Sequence, residues 1–266
     1  MNGLAEMGLL SPELEKVRAF VRSKYKSDVG VVEEIISRAV KLHYELQIHK
    51  DSARELVVAL LYIRTLLYVQ SAILLIERGL DPPARVLLRA SLEALFYLGA
   101  TAKDSSFLRE YVNADRAATV RLAEKLAKLQ DPAIRDKVAD VVTPEWMAAA
   151  KAARDEVKAK IPSVEQASKA AGYEELYNSA YTRFSVCVHS TVRDLEEHHL
   201  KSDEQGTVQA VKAEPTTEGL KQLYLTAGEL ILEAVDVTSG VFGISVEQFC
   251  VAAKSRLKKL STEDVS

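Results

Sequence analysis

Residues 56–76 read LVVALLYIRTLLYVQSAILLI, and Arg64 is the only charged side chain among them. Residues 86–102 read VLLRASLEALFYLGATA, with Arg89 and Glu93 as the only charges. A helix that is apolar around most of its circumference is either buried in a bundle or spans a membrane. An arginine at the bilayer centre costs about 2.5–3.5 kcal/mol, and the second stretch is short and charged. We therefore expect two buried, antiparallel helices, with a membrane hairpin as the alternative.

Proline and glycine positions divide the chain into helices. Four prolines directly follow a side chain that can cap a helix N-terminus, and proline suits the first helical position because it lacks an amide that would need a partner. These pairs are Ser11-Pro12, Asp81-Pro82, Asp131-Pro132 and Thr143-Pro144. Glycine ends helices in the left-handed conformation, which predicts helix ends at Gly30, Gly79, Gly99 and Gly172.

The hydrophobic periodicity between these residues is helical almost throughout. It predicts helices over residues 12–26, 29–49, 52–78, 82–102, 105–129, 132–140, 144–160, 163–171, 173–199, 217–239 and 245–260. Residues 206–211 are the exception and predict a small hairpin. The fold class is therefore all-α, a single multi-helix bundle with buried central helices over residues 1–266. Within it we expect a long loop at about 200–216 and loose ends at 1–10 and 261–266.

The composition is that of a soluble globular protein, with 35 basic residues, 38 acidic residues and 48% hydrophobic residues. This charge balance excludes DNA binding driven by overall charge. Two cysteines are too few for a disulfide scaffold and fit a reducing cytosol. The start of the sequence lacks the basic and apolar regions of a secretory signal. We therefore expect a cytoplasmic protein that binds neither DNA nor a membrane.

Sequence motifs for metals and nucleotides are absent. There is no C-x-x-C, no H-E-x-x-H, no G-x-x-x-x-G-K-[ST] and no G-x-G-x-x-G. Glu196 and His199 form one E-x-x-H, but a di-iron bundle needs two. His198 and His199 are explained by the favourable effect of a cation near a helix C-terminus, and Cys187 is expected to be an inert packing residue. The sequence predicts no cofactor and no metal site.

Arg89 and Glu93 are four residues apart and share one face of the second apolar helix. A charged pair inside an apolar helix is stable only with good geometry and further hydrogen bonds. One interpretation is a structural ion pair that clamps a neighbouring helix or lies at the rim of the bundle. The other is a polar pocket in which Glu93 is an acceptor and Arg89 anchors an anion. We expect both side chains to be mostly buried and to depend on each other.

The predicted helix over residues 173–199 carries a polar line beside a core-facing stripe. The stripe consists of Tyr177, Tyr181, Phe184, Val188, Val192 and Leu195, at three- and four-residue steps. Ser185, His189 and Arg193 follow one another at four-residue steps along its edge. Because histidine titrates near neutral pH, this line suits anion binding or proton transfer. The alternative is a boundary histidine that is hydrogen-bonded to a neighbouring helix.

Arg183 and His189 form an arginine–histidine pair with five residues between them. This spacing resembles the Rx4-6H signature of the HEPN superfamily, all-helical proteins many of which are metal-independent ribonucleases or toxins that act as dimers. The resemblance implies that Arg183 and His189 of two subunits meet and assist attack of an RNA 2′-hydroxyl on the adjacent phosphate. On an ideal helix the two residues are about 120° apart, so Arg183 points away from the apolar stripe, where a partner subunit would have to cover it.

A closer resemblance rests on two motifs in order. The stretches are ARVLLRASLEALFYLGA at 84–100 and YTRFSVCVHS at 181–190. They resemble a bacterial family of uncharacterised all-helical proteins that pair an LxRxxxEAxxYL helix with a YxxxSxxxH helix, over about residues 50–200. The resemblance implies that the functional positions are Arg89, Glu93, Tyr181, Ser185 and His189.

Two functional hypotheses of different classes remain open. The first is a HEPN-like cytosolic homodimer that binds RNA or cleaves it without a metal, for example in defence. The second is a non-enzymatic module that binds a small ligand or a partner protein, in which Arg89, Glu93 and His189 form a structural network. The catalytic candidates are His189, Arg183 and Ser185, and the binding candidates are Arg89, Glu93, Tyr181 and Arg193.

Overall fold

The computed structural model describes residues 2–126, 128, 130, 131, 136, 137, 142–157, 162–189 and 191–263. The helices are α1 (Asn2–Met7), α2 (Leu14–Lys24), α3 (Lys26–Glu45), α4 (Ala53–Ile76), α5 (Asp81–Lys103), α6 (Ser105–Leu126), α7 (Pro144–Val157), α8 (Val164–Ala171), α9 (Glu174–Leu176), α10 (Thr182–Val188), α11 (Val192–His199), α12 (Lys221–Phe242) and α13 (Glu247–Thr262). A π-helical turn, Tyr177–Tyr181, connects α9 to α10. Strands β1 (Leu200–Ser202) and β2 (Val208–Val211) form an antiparallel hairpin. The predicted all-α bundle is confirmed.

Helix α5 lies at the centre of the bundle, where it packs against α4, α6, α8, α10 and α12. The turn between α4 and α5 requires glycine, because Gly79 has a φ of 73° and a Cβ there would collide with the carbonyl oxygen of Thr216. The completely buried side chains of α5 include Leu88, Leu92, Leu95, Phe96 and Leu98. The most apolar part of the sequence therefore forms the core against which these five helices pack.

Two of the four glycines predicted to end helices do not do so. Gly79 and Gly172 follow helix ends with φ values of 73° and 77°, as expected. Gly30 instead lies inside α3, and the break between α2 and α3 comes earlier, at Tyr25. Gly99 lies inside α5, where a Cβ would be 2.8 Å from the Cβ of Ala171. Its role is to let α5 and α8 approach closely.

The prediction of one continuous helix over residues 173–199 is wrong. After the π turn and α10, the backbone leaves the helical conformation at His189, with φ −91° and ψ 3°. Thr191 then starts α11: its backbone is extended, and its hydroxyl accepts a hydrogen bond from the amide of Asp194 at 3.4 Å. The helical spacing of side chains on α10 therefore does not continue into α11.

This break shortens the predicted apolar stripe. Tyr181 and Phe184 are buried as expected, with 8% and 4% of their surfaces exposed. The later members of the stripe, Val188, Val192 and Leu195, are 37%, 72% and 44% exposed. The core-facing seam therefore ends at Phe184, within α10.

The remaining predictions concern the ends and loops. The hairpin expected around residues 206–211 is present, with Leu200 opposite Val211. Residues expected to be loose at the start of the chain include the short helix α1. The predicted helix over 132–140 lies outside the described residues, except for residues 136 and 137.

In the described part of the chain, α4 is the one helix long and apolar enough to cross a membrane, and 44% of its most apolar window is buried. Its inner face is fixed in the core, where the hydroxyl of Tyr62 donates to the carbonyl of Ala39 at 2.7 Å. Its outer face carries a leucine stripe that is about half exposed: Leu56 47%, Leu60 58%, Leu67 58% and Leu74 53%. The bundle therefore covers only one side of an apolar helix.

Candidate functional site

Four of the five family-motif side chains form one hydrogen-bonded cluster, here called the Arg89 network. The Arg89 guanidinium donates from Nε to the hydroxyl of Ser185 at 3.0 Å and from Nη2 to the hydroxyl of Tyr181 at 2.7 Å. The same Nη2 lies 3.0 Å from Oε1 of Glu93. The Tyr181 hydroxyl donates to that carboxylate oxygen at 2.8 Å. The network joins the π turn and α10 to α5 through three different pairs of side chains.

The Arg89 network has the chemistry of a structural contact that holds helices together. Burial, followed by the hydrogen bond to Glu93, raises the pKa of Tyr181 to about 12, so its hydroxyl keeps its proton and donates at neutral pH. The Ser185 hydroxyl donates back to the carbonyl of Tyr181 at 2.8 Å. The side chains of Arg89 and Glu93 are 20% and 32% exposed, which places their ion pair at the rim of the bundle. The sequence expectation that both are mostly buried holds better for Arg89.

A groove beside the network bears on the polar-pocket hypothesis. This space of about 370 Å³ lies between α4, α5 and α6. Glu93 lines it together with Arg64, Tyr68 and Tyr97, whereas Arg89 is not part of its lining. The predicted pocket required Glu93 and Arg89 to face one cavity, and in this groove they do not.

The predicted Ser185–His189–Arg193 line is not formed, because the helix ends before His189. Ser185 belongs to the Arg89 network, whereas His189 and Arg193 are exposed on different elements. Arg183 is also exposed, on the outer face of α10. Among the described residues, no hydrogen bond or ion pair joins Arg183 to His189. The histidine is therefore not a member of the network in which the second sequence hypothesis placed it.

A cluster that sequence reasoning missed lies at the break between α10 and α11. The Cys187 thiol, the Asp194 carboxylate and the His198 ring offer atoms that lie within 4.8 Å of one another. His198 Nε2 is 3.6 Å from Asp194 Oδ1, and Asp194 is only 7% exposed. Burial, followed by a hydrogen bond to Asp194, raises the pKa of Cys187 to about 12. The Cys187 thiol therefore keeps its proton at neutral pH, as expected of an inert residue, although it lies beside polar groups.

Arg183 and His198 line a common cleft of about 600 Å³. Arg85 and Asp81, at the start of α5, also line it and form an ion pair with a hydrogen bond from Nη2 to Oδ2 at 2.9 Å. His199 lines the same cleft. The histidines that share a cavity with Arg183 are therefore those of α11.

These features define a class of all-α bundle in which two motif-bearing helices, α5 and α10, are joined by a closed Arg–Glu–Tyr–Ser network. The chain belongs to a family of unknown function (DUF5677), whose model matches residues 55–207. This confirms the resemblance to a family of uncharacterised helical proteins. The match contains the Arg89 network and the Cys187 cluster, whereas α2, α3, α12 and α13 lie outside it. Comparison with curated proteins and with solved structures gave no match.

Proposed function

We propose that the protein is a non-enzymatic helical interaction module that associates with a second copy of itself through the leucine stripe of α4. The single observation that carries this proposal is the outward face of α4. Its four leucines lie within about 40° of one another around the helix axis. Monomeric soluble proteins rarely expose a contiguous apolar surface of this kind unless it binds a partner.

The spacing of the stripe suits a second copy of the same helix. Ile63 and Gln70 occupy the positions between the leucines, so that the face runs from Leu56 to Leu74 in alternating four- and three-residue steps. This is the pattern with which two helices interlock along a seam, and one polar residue in such a seam sets register. Arg64 is the only charged residue from 56 to 76, so a charged partner would find few ionic contacts on this face.

A membrane is a less suitable partner for the same face. The opposite side of α4 is held in the core, where Val58, Tyr62 and Val69 are completely buried. Crossing a bilayer would require α4 to leave α5 and α12 and to expose these contacts. Docking against another helix uses the outer leucines without disturbing the inner ones.

The test of self-association is a charge placed in the stripe. Leu60→Glu combined with Leu67→Glu should convert a dimer into a monomer, because two carboxylates would be desolvated in the seam. Sedimentation velocity measures the mass, and circular dichroism verifies that both proteins are folded. The matched control is Leu122→Glu on α6, a leucine with 56% exposure that should leave the dimer intact.

Two results would overturn the proposal. One is a wild-type protein that sediments as a monomer at high micromolar concentration. The other is flotation of the wild-type protein, but not of the double variant, with phosphatidylcholine vesicles, which would assign the stripe to a lipid surface.

A second candidate function, RNA cleavage without a metal, is favoured by a different observation. Arg183 and His189 are both exposed, and among the described residues neither side chain makes a hydrogen bond. Arg183 lies on the outer face of α10 with Thr182 and Val186, and His189 directly follows the end of this helix. In the superfamily that their spacing resembles, such residues of two subunits meet at the dimer interface, so a second copy would have to complete this site.

This candidate predicts that Arg183→Ala and His189→Ala each lower cleavage of single-stranded RNA by about 10²–10⁴-fold, because proton transfer or stabilisation of the transferring phosphate is lost. Cleavage by the wild-type protein should persist in chelator and leave cyclic phosphate ends. Both variants should melt like the wild type, since neither side chain is buried. Arg193→Ala, on α11, is the control and should cut normally. Intact RNA with the wild-type protein, or normal cutting by Arg183→Ala, would remove this candidate.

A further inference from the structure

We propose that Cys187, Asp194 and His198 bind a divalent cation of the zinc class, which bridges the break between α10 and α11. The inference is independent of the leucine stripe and of RNA cleavage. It rests on three side chains that carry three different ligand types and whose donor atoms already lie within 4.8 Å of one another.

The spacing of the donor atoms fits a small tetrahedral cation. Bonds of about 2.0–2.3 Å place the ligand atoms of a tetrahedral zinc roughly 3.3–3.8 Å apart. His198 Nε2 and Asp194 Oδ1 are 3.6 Å apart, which is already such an edge. Asp194 and His198 are four residues apart on α11, so one helical face holds both. The other distances in the cluster are at most 4.8 Å, so closing it around a cation requires movements of the order of 1 Å.

The types of ligand select the metal. A thiolate and an imidazole favour Zn²⁺ and Co²⁺, whereas Mg²⁺ and Ca²⁺ prefer sites made only of oxygen. On binding, the Cys187 thiol releases its proton to solvent, and the thiolate and the Asp194 carboxylate together balance the charge of the cation. The neighbouring cation, Arg85, is already neutralised by its ion pair with Asp81.

The surroundings leave one coordination position for water or an external ligand. Zinc sites with three protein ligands keep a fourth position open for water or substrate. His198 also lines the cleft shared with Arg183 and His199, so solvent reaches one side of the cluster. The side chains of Asp194 and His198 are 9% and 12% exposed, which holds the other side away from bulk water.

The effect of the cation on the protein follows from where the ligands lie. Cys187 is on the last turn of α10, and the other two ligands are on α11. Because the backbone is not helical at His189 and at Thr191, the contacts among these side chains link the two helices. A bound cation would replace a weak thiol–carboxylate contact with coordinate bonds and so hold the break rigid.

The experiment uses the full chain, freed of metal by chelator and titrated with Co²⁺. We expect one cobalt per chain, a thiolate-to-cobalt charge-transfer band in the near ultraviolet, and loss of that band when Zn²⁺ is added. Cys187→Ser should remove the band, and His198→Ala should weaken cobalt binding by at least about tenfold. The matched controls are Cys250→Ser, at the only other cysteine, and His199→Ala, at the adjacent histidine, and both should bind as the wild type does.

Each outcome decides the proposal. The absence of a charge-transfer band in the wild-type protein would overturn it, as would a band that survives in Cys187→Ser or disappears in Cys250→Ser. Zn²⁺ should also raise the melting temperature of the wild type but not of Cys187→Ser, because a ligand stabilises only the folded state that binds it. If Cys187→Ser does not fold, His198→Ala supplies the same comparison.

Discussion

Replacing Glu77 with alanine is expected to lower the free energy of unfolding by about 2–4 kcal/mol, because two charge-assisted hydrogen bonds are lost from a buried position. The Glu77 side chain is 5% exposed at the end of α4. It accepts a hydrogen bond from Arg18 Nε at 2.7 Å and a second one from Arg22. These bonds attach α2 to the turn that joins the two central helices.

Glu15 is the matched control for this experiment. It also pairs with two arginines, one of which is Arg18, but its side chain is 57% exposed. Solvent replaces most of what such a pair contributes, so Glu15→Ala should change the unfolding free energy far less than Glu77→Ala. Urea denaturation monitored by circular dichroism gives both values. Equal losses for the two variants would show that burial of Glu77 is not what makes its ion pairs strong.

Replacing Arg89 with alanine is the second large effect, an expected loss of about 2–4 kcal/mol. The change removes two hydrogen bonds and an ion pair at once. Of the network's contacts between Tyr181, Glu93 and Arg89, only the hydrogen bond from Tyr181 to Glu93 remains. Arg89→Lys should recover little of the loss, because an ammonium group cannot reproduce the planar fork that reaches two hydroxyls. Chemical denaturation measures the losses, and the far-ultraviolet spectrum should keep its helical shape.

The control for Arg89 is Arg64→Ala on α4. The Arg64 guanidinium is exposed and lies 5.8 Å from the centre of the Tyr68 ring, so its removal should cost no more than about 0.5 kcal/mol. The double change Arg89→Met and Glu93→Leu should cost less than the sum of the two single changes, since neither charge is then left alone. Additive losses, or an Arg89→Ala protein as stable as Arg64→Ala, would contradict a structural role for the network.

The central helices could be predicted because their local signals agree. The bounds expected for α4 and α5 differ from the observed ones by at most two residues, since long apolar runs are flanked by Ser52, which caps α4, and by the Gly79 turn. The pairing of Arg89 with Glu93 followed from helical spacing alone. Helical spacing placed its other partners elsewhere, Tyr181 in the core-facing stripe and Ser185 in a polar line with His189. Only the resemblance grouped them with Arg89, because neither stretch of sequence by itself shows the contact between them.

The break after α10 was missed although a signal for it exists. No proline or glycine marks it, but Thr191 followed by Asp194 is a helix start in which a hydroxyl caps an amide three residues on. A continuous helix would separate Cys187 from Asp194 by about 10 Å, at 1.5 Å per residue. Only the break brings the thiol to the carboxylate, so the metal-ligand cluster could not be predicted from helical spacing. The same break explains why His189 does not form the line with Ser185 and Arg193 that helical spacing predicted.

The π turn at Tyr177–Tyr181 gives this chain a place where its length can change. A π turn holds one residue more than an α-helical turn, and Thr182 marks it with a hydrogen bond from its amide to the carbonyl of Tyr177. Deleting the exposed Ser179 would convert the turn to α-helix while keeping α9 and α10 in their present rotations. A deletion inside α5 would instead rotate everything beyond it by about 100°. Relatives with one residue fewer between the two motifs are therefore compatible with an unchanged Arg89 network, provided that the gap falls within this turn.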